Sequence, residues 1–182
     1  MPLRASILLP VVAVALMTNA LASSASAGPA RASASVSVTR VTSLEGSLIR
    51  QINLVRGTRG LHRLTRSNAL SRTAVGHSVA MATYGFFAHE SADGKPFWHR
   101  VEQTYTRRTR GWTVGENLAM FGGAPPTAAD IVQAWLASPP HRANLFRAIF
   151  REAGVGIVFN PTAGGVFGGE PTWVVTLDVG RR

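Results

Sequence analysis

Cysteine is absent from the 182 residues, which excludes disulfides, thiolate zinc sites and cysteine nucleophiles. Lysine is nearly absent as well: Lys95 is the one lysine, so arginine carries almost all the positive charge. Carboxylates are scarce, 9 Asp and Glu against 19 Lys and Arg, for a net charge of +10. That balance favours anionic partners such as an envelope polymer, anionic lipid or nucleic acid. Charged residues make up only 15% of the chain and hydrophobic ones 46%, which excludes a disordered chain and suits one domain around one core. HExxH is missing, because His89-Glu90 has no second histidine in register. Gly-rich phosphate loops and internal repeats are missing too.

What is present begins with the N-terminus. "MPLRASILLPVVAVALMTNALASSASAGPA" has a charged start at Arg4, an apolar run from Ile7 to Met17, and small-residue sites at Ala20-Leu21-Ala22 and Ala25-Ser26-Ala27. This is the layout of a secretory signal peptide cut after Ala27. The run falls short of the about 20 apolar residues of a membrane-spanning helix, and no later stretch supplies one. The expected organisation is a signal peptide over 1–27, a small-residue linker over 28–42 and one domain over 43–182, exported and without a transmembrane segment.

Leu44, Leu48, Ile52 and Val55 recur at helical spacing behind Ser43, a candidate N-cap. A second helix starts at Ser67 or Asn68 and stops at Gly85; Leu70, Ala74, His77, Met81 and Tyr84 form its inner face. A loop follows, then a short helix capped by Asp93. "WTVGENLAM" reads as a short extended or irregular piece. Thr127 and Asp130 form a capping box for a helix that Pro139 and Pro140 end. "GVGIVF" and "TWVVTLDV", separated by turn residues, predict neighbouring strands. Helices first and strands last predict an α+β domain with helices packed on an antiparallel sheet.

Among the histidines, His62 sits in a basic turn and is expected to be solvated, while His77 is expected to pack on a helix face. His99 lies beside Trp98 on the short helix. "GHSVA" echoes a hydrolase nucleophile elbow, but it falls inside a helical pattern, so Ser78 is expected on the helix surface. His89 and His141 each sit at an element boundary, where a polar side chain can face a cleft without costing a helix its core face. Glu152 reads as a surface charge. Arg107, Arg108 and Arg110, beside Tyr105 and Trp112, form a basic segment that either holds an anionic surface or is simply solvated.

The ordered set "NLVRGTRGL", "FFAHESADG", "GENLA", "AWLASPPHRANL" and "EAGVG" resembles the CAP superfamily of cysteine-rich secretory, antigen-five and pathogenesis-related proteins, in its secreted bacterial branch. The likeness runs from about Leu48 to Asp178. It implies a three-layer α-β-α sandwich with a central antiparallel sheet. It also implies a cleft in which some members hold a divalent cation on two histidines and two glutamates. Matched piece by piece, these are His89, Glu116 and His141, with Asn117 and Asn144 anchoring backbone nearby. The second glutamate is replaced by Ser138, leaving a three-ligand set that suits zinc with an open position for water. The same three residues serve equally as a hydrogen-bonded polar cluster.

Three functions follow from this resemblance. One is an exported domain that binds an envelope polymer, a lipid or an extracellular protein, as a monomer and without nucleic acid. Another is a metal-assisted hydrolase of peptide or ester bonds in the same cleft. The last is a structural module without catalysis. The export reading predicts a mature N-terminus at Gly28; intact-mass measurement of protein secreted into the medium checks it, and retention of residues 1–22 there refutes it.

Overall fold

The computed structural model describes residues 37–106 and 110–182. The expected signal peptide, most of the expected linker, and Arg107 and Arg108 lie outside the described residues. The last residues of that expected linker are already part of the domain: β1, Thr39–Arg40, pairs antiparallel with β4, Glu152–Ala163. Helix α1, Thr42–Gly57, then starts one residue before Ser43. Its N-cap is Val41, without a side-chain cap, because strand pairing fixes the entry: the Val41 N–H donates to Ile157 O at 2.9 Å.

The sheet order is β1-β4-β5-β3, where β5 is Glu170–Arg181 and β3 is Thr113–Gly122. These pairings are antiparallel; only the two-residue β2, Thr65–Arg66, joins β4 in parallel. The expected hairpin is β4–β5. Its neighbour β3 is a correction: "WTVGENLAM" belongs to a ten-residue strand in continuous register with β5, Thr113 opposite Arg181 through Gly122 opposite Thr172. Buried polar residues Glu116 and Asn117 interrupt its apolar alternation, which hid the strand from period-2 reading.

Two helical layers cover the sheet, giving the α-β-α sandwich. On one face α1 packs with α4, Ala128–Ala137, and α5, Pro139–Phe146. Leu48, Ile52, Ile131, Trp135, Leu145 and Phe150 meet Val155, Ile157, Val175, Leu177 and Val179 there. The Thr127–Asp130 capping box is present, and Pro139 and Pro140 occupy the first positions of α5, where a missing N–H costs nothing. The other face carries α2, Asn68–Tyr84, and α3, Phe97–Thr104. Ser67 caps α2 and Gly85 ends it in the left-handed conformation, φ 71°. Tyr84 departs from the expected inner face: it is 72% exposed in the last position of the helix. Asp93 does not cap α3, which begins after Pro96; its carboxylate instead accepts from Lys95 N in the preceding turn.

Helix α2 lies directly on strand backbone. A Cβ at Gly154 would stand 2.1 Å from the Leu70 carbonyl carbon, and one at Gly156 would stand 2.4 Å from that of Ala74. No rotamer relieves a clash with main chain. Gly156→Ala is therefore expected to destabilise the fold by roughly 3 kcal/mol. Gly76→Ala, in open space on the same helix, should instead stabilise by about 0.5–1 kcal/mol; urea unfolding of both checks the contrast.

Candidate functional site

Strand β3 is the sheet edge, so residues of both helical layers can meet beside it. Glu116 sits there, directly opposite Asp178 of β5. Its side chain is fully buried. His89, in the loop after α2, donates from Nδ1 to Glu116 Oε1 at 2.7 Å. Arg100 of α3 takes the other oxygen: its Nη2 donates to Glu116 Oε2. The same guanidinium donates from Nη1 to His89 O at 2.7 Å and to Ser91 Oγ at 3.2 Å. Burial alone would raise the Glu116 carboxyl, but the His89 hydrogen bond and the Arg100 charge outweigh it and hold it below the ordinary value.

His141 enters from the opposite layer, on the first turn of α5. It is half-buried, and its backbone is fixed by Asn117, whose Nδ2 donates to His141 O at 3.0 Å. Asn144 completes the brace, donating to Glu116 O at 3.0 Å and to Asn117 Oδ1 at 2.9 Å. The His141 imidazole is pushed below its ordinary value by burial and then by the charge of His89. His89 and Glu116 are thus joined directly, while His141 bonds to neither. Arg110 is exposed; Arg107 and Arg108 lie outside the described residues.

Three site residues escaped the sequence reading. Arg100 on α3 is one, with no local signal to single it out. Asp178 is another, and it is completely buried. Thr73 Oγ1 lies 2.7 Å from Asp178 Oδ2 and 2.8 Å from Leu70 O. The Thr73 hydroxyl is the donor to Asp178. Burial, followed by the nearby Glu116 charge, raises the Asp178 carboxyl well above its ordinary value. Ser78, expected on the surface, is the third: it is fully buried, donating to Gly156 O at 2.9 Å with Thr176 Oγ1 at 2.8 Å. Helix α2 faces the sheet here, which turns the "GHSVA" serine inward. His77 packs as expected, edge-on to Phe86 and bonded to Ala88 O at 2.9 Å; burial lowers it to about 4, so it is neutral. Glu152 is a partial correction: it accepts from Tyr105 Oη and lies 3.4 Å from Arg182 Nε, an ion pair at the start of β4.

A cavity of about 480 Å³ adjoins this cluster, between α2, α3 and the 91–95 turn. Arg72, His77, Lys95, His99, Arg100 and Gln103 line it. Exposed His99 stacks on Trp98 at 4.5 Å.

The family model of the cysteine-rich secretory protein family, CAP, matches residues 49–177. The chain belongs to the CAP family. The uncharacterized protein YkwD of Bacillus subtilis is 30% identical over 119 residues, 65% of this chain; the match spans only 44% of that relative's length. Among solved structures, an extracellular protein containing an SCP domain from Bacillus anthracis superposes with TM-score 0.60 at 23% identity, over 78% of this chain and 41% of that one. An outer surface protein of Borrelia burgdorferi gives 0.60 at 15% identity, over 79% and 98%. A cysteine-rich secretory protein of Staphylococcus aureus gives 0.55 at 18%, over 78% and 39%. These likenesses carry the α-β-α sandwich. The bacterial relatives include extracellular proteins, and no described helix is long and apolar enough to cross a membrane.

The cation that some CAP domains hold does not fit these residues as folded. Both Glu116 oxygens are engaged, one by a guanidinium, and no group of three or more His, Asp or Glu among the described residues is arranged to hold a metal.

The raised Asp178 carboxyl makes stability depend on pH. A carboxyl raised on folding binds its proton more tightly in the native state, so it lowers stability as pH rises above about 4, the unfolded value. Asp178→Asn removes that loss. Its stability relative to wild type should therefore increase from pH 4 towards pH 8, measured by urea unfolding; a pH-independent difference would show an ordinary ionised aspartate.

Proposed function

We propose that this chain is an exported CAP domain that acts as a non-catalytic binding module outside the cytoplasm, and that it engages an anionic group of an envelope polymer at the α2–α3 cavity. The observation that carries the reading is the cavity itself. It is of a size that suits small groups, and three cations, Arg72, Lys95 and Arg100, line it; Lys95 pairs with Asp93 at 2.7 Å and Arg100 with Glu116, which leaves Arg72 as the cation without an ion pair among the described residues. Arg100 links the cavity to the His89–Glu116 pair, so the family cleft and the cavity share one wall. The net charge of +10 would draw polyanions to the surface before they reach the cavity. The signal-like N-terminus and extracellular relatives support the location.

Among the described residues no observation favours the hydrolytic alternative. Glu116 is buried and ion-paired, and Ser78 is buried with both hydrogen-bonding partners inside the fold. Neither is placed as a base or nucleophile that a substrate could reach.

Arg72→Gln with Lys95→Gln leaves the Glu116 cluster intact and removes two of the cavity's cations. Binding to purified anionic envelope polymer should weaken roughly 3–10-fold, with a shallower salt dependence, since exposed charges contribute modestly and are screened. Titration calorimetry at two salt concentrations checks this. Unchanged affinity would refute the cavity, and equal binding to anionic vesicles would reduce the attraction to general surface charge.

A further inference from the structure

We infer that Arg100 is the resident cation of the family cleft, and that it, rather than the missing carboxylate at Ser138, keeps the site free of metal. The inference goes beyond the binding reading above and does not depend on what the cavity takes.

The cleft carboxylate is fully buried on the edge strand and needs a positive partner. Arg100 supplies it from α3, in the layer of α2 and the His89 loop and opposite the layer that carries His141. Its fork is spread over three acceptors, Glu116 Oε2, His89 O and Ser91 Oγ, so it is tied to the carboxylate and to the loop that carries His89. Guanidinium stays protonated at any working pH and matches carboxylate geometry. A divalent ion reaching Glu116 would have to sit beside this fixed charge. It would also have to displace the His89 Nδ1–H that occupies the other oxygen. Both costs persist whatever residue stands at 138.

Ser138 lies between α4 and α5, half-buried, at the N-cap position of the helix that carries His141 but without a side-chain cap bond. A glutamate there would add a ligand but leave the guanidinium in place. Two explanations of a metal-free cleft are thus separable. If the missing carboxylate is the cause, Ser138→Glu restores zinc binding. If Arg100 is the cause, Ser138→Glu stays silent and only removal of the guanidinium opens the site.

The test uses the mature chain, zinc chloride and EDTA, with thermal melts and calorimetry at pH 7.5. Wild type and Ser138→Glu should show no zinc shift and no EDTA shift. Arg100→Gln combined with Ser138→Glu should gain zinc binding, seen as a rise in Tm of roughly 5–11 °C at zinc a hundredfold above Kd. Adding His141→Ala should abolish the gain. Arg100→Lys with Ser138→Glu keeps a charge in place without the fork and should stay zinc-silent. It also serves as the folded comparison if the glutamine variant is too unstable to melt cooperatively. A His141-dependent zinc shift in wild type, in Ser138→Glu, or in the lysine variant overturns the inference. So does a folded glutamine variant that responds to zinc no more than wild type.

Discussion

The contact on which the domain depends is the seating of α2 on the bare backbone of β4. Gly154 and Gly156 leave no side chain between helix and strand, so the Leu70 and Ala74 main chain rests where Cβ atoms would otherwise stand. That approach brings the polar residues of α2 within bonding distance of the sheet. Ser78 reaches Gly156 O and Thr176, and Thr73 reaches Asp178. A second backbone contact closes the far end: the Val166 N–H donates to Gly85 O at 3.0 Å, and a Cβ at Gly165 would stand 2.0 Å from that same oxygen. The loop that follows Gly85 and carries His89 therefore leaves α2 at a fixed point. Precision at the site begins with glycines that never touch it.

A second constraint holds the opposite layer. Arg56 of α1 is completely buried and, among the described residues, has no carboxylate partner. Its guanidinium donates instead to His62 O at 2.9 Å, Leu145 O at 2.6 Å, Arg147 O at 3.3 Å and Phe150 O at 3.4 Å. Burial, helped by the Arg151 charge, lowers this arginine from its ordinary value. Four carbonyls provide the hydrogen bonds that water would otherwise give, and breaking such a set would leave a buried charge exposed to apolar surroundings. Three of the four belong to α5 and the turn behind it. The helix that presents His141 is thereby tied to α1, while Asn117 and Asn144 tie it to β3. His141 and His89 come from separate layers, and each layer has its own fastening.

Between them, Glu116, Arg100, His89 and Asp178 form one buried electrostatic unit. The Glu116 carboxylate has a donor on each oxygen and is held below its ordinary value; the carboxyl opposite it is raised well above its own by burial and then by the Glu116 charge that the strand register sets beside it. On the inference above, the Arg100 charge keeps residues that resemble a metal set from taking an ion. The family pattern specifies which residue types face the cleft, but the charge they meet comes from α3.

Local signals in the sequence carry much of this fold. Ser67, Gly85, the Thr127–Asp130 box and the proline pair mark helix ends because capping is a property of a few neighbouring residues. β-Branched runs mark β4 and β5, and the ordered family segments name His89, Glu116 and His141. Tertiary structure alone decided the rest. The length of β3 depended on its partner strand, since Glu116 and Asn117 are tolerated inside only through bonds to His89, Arg100, His141 and Asn144. The roles of Arg100, Asp178 and Ser78 depended on groups 16, 105 and 78 residues away along the chain. No local pattern encodes such pairings, because the free energy of a buried charge or hydroxyl is set by whatever the fold brings opposite it.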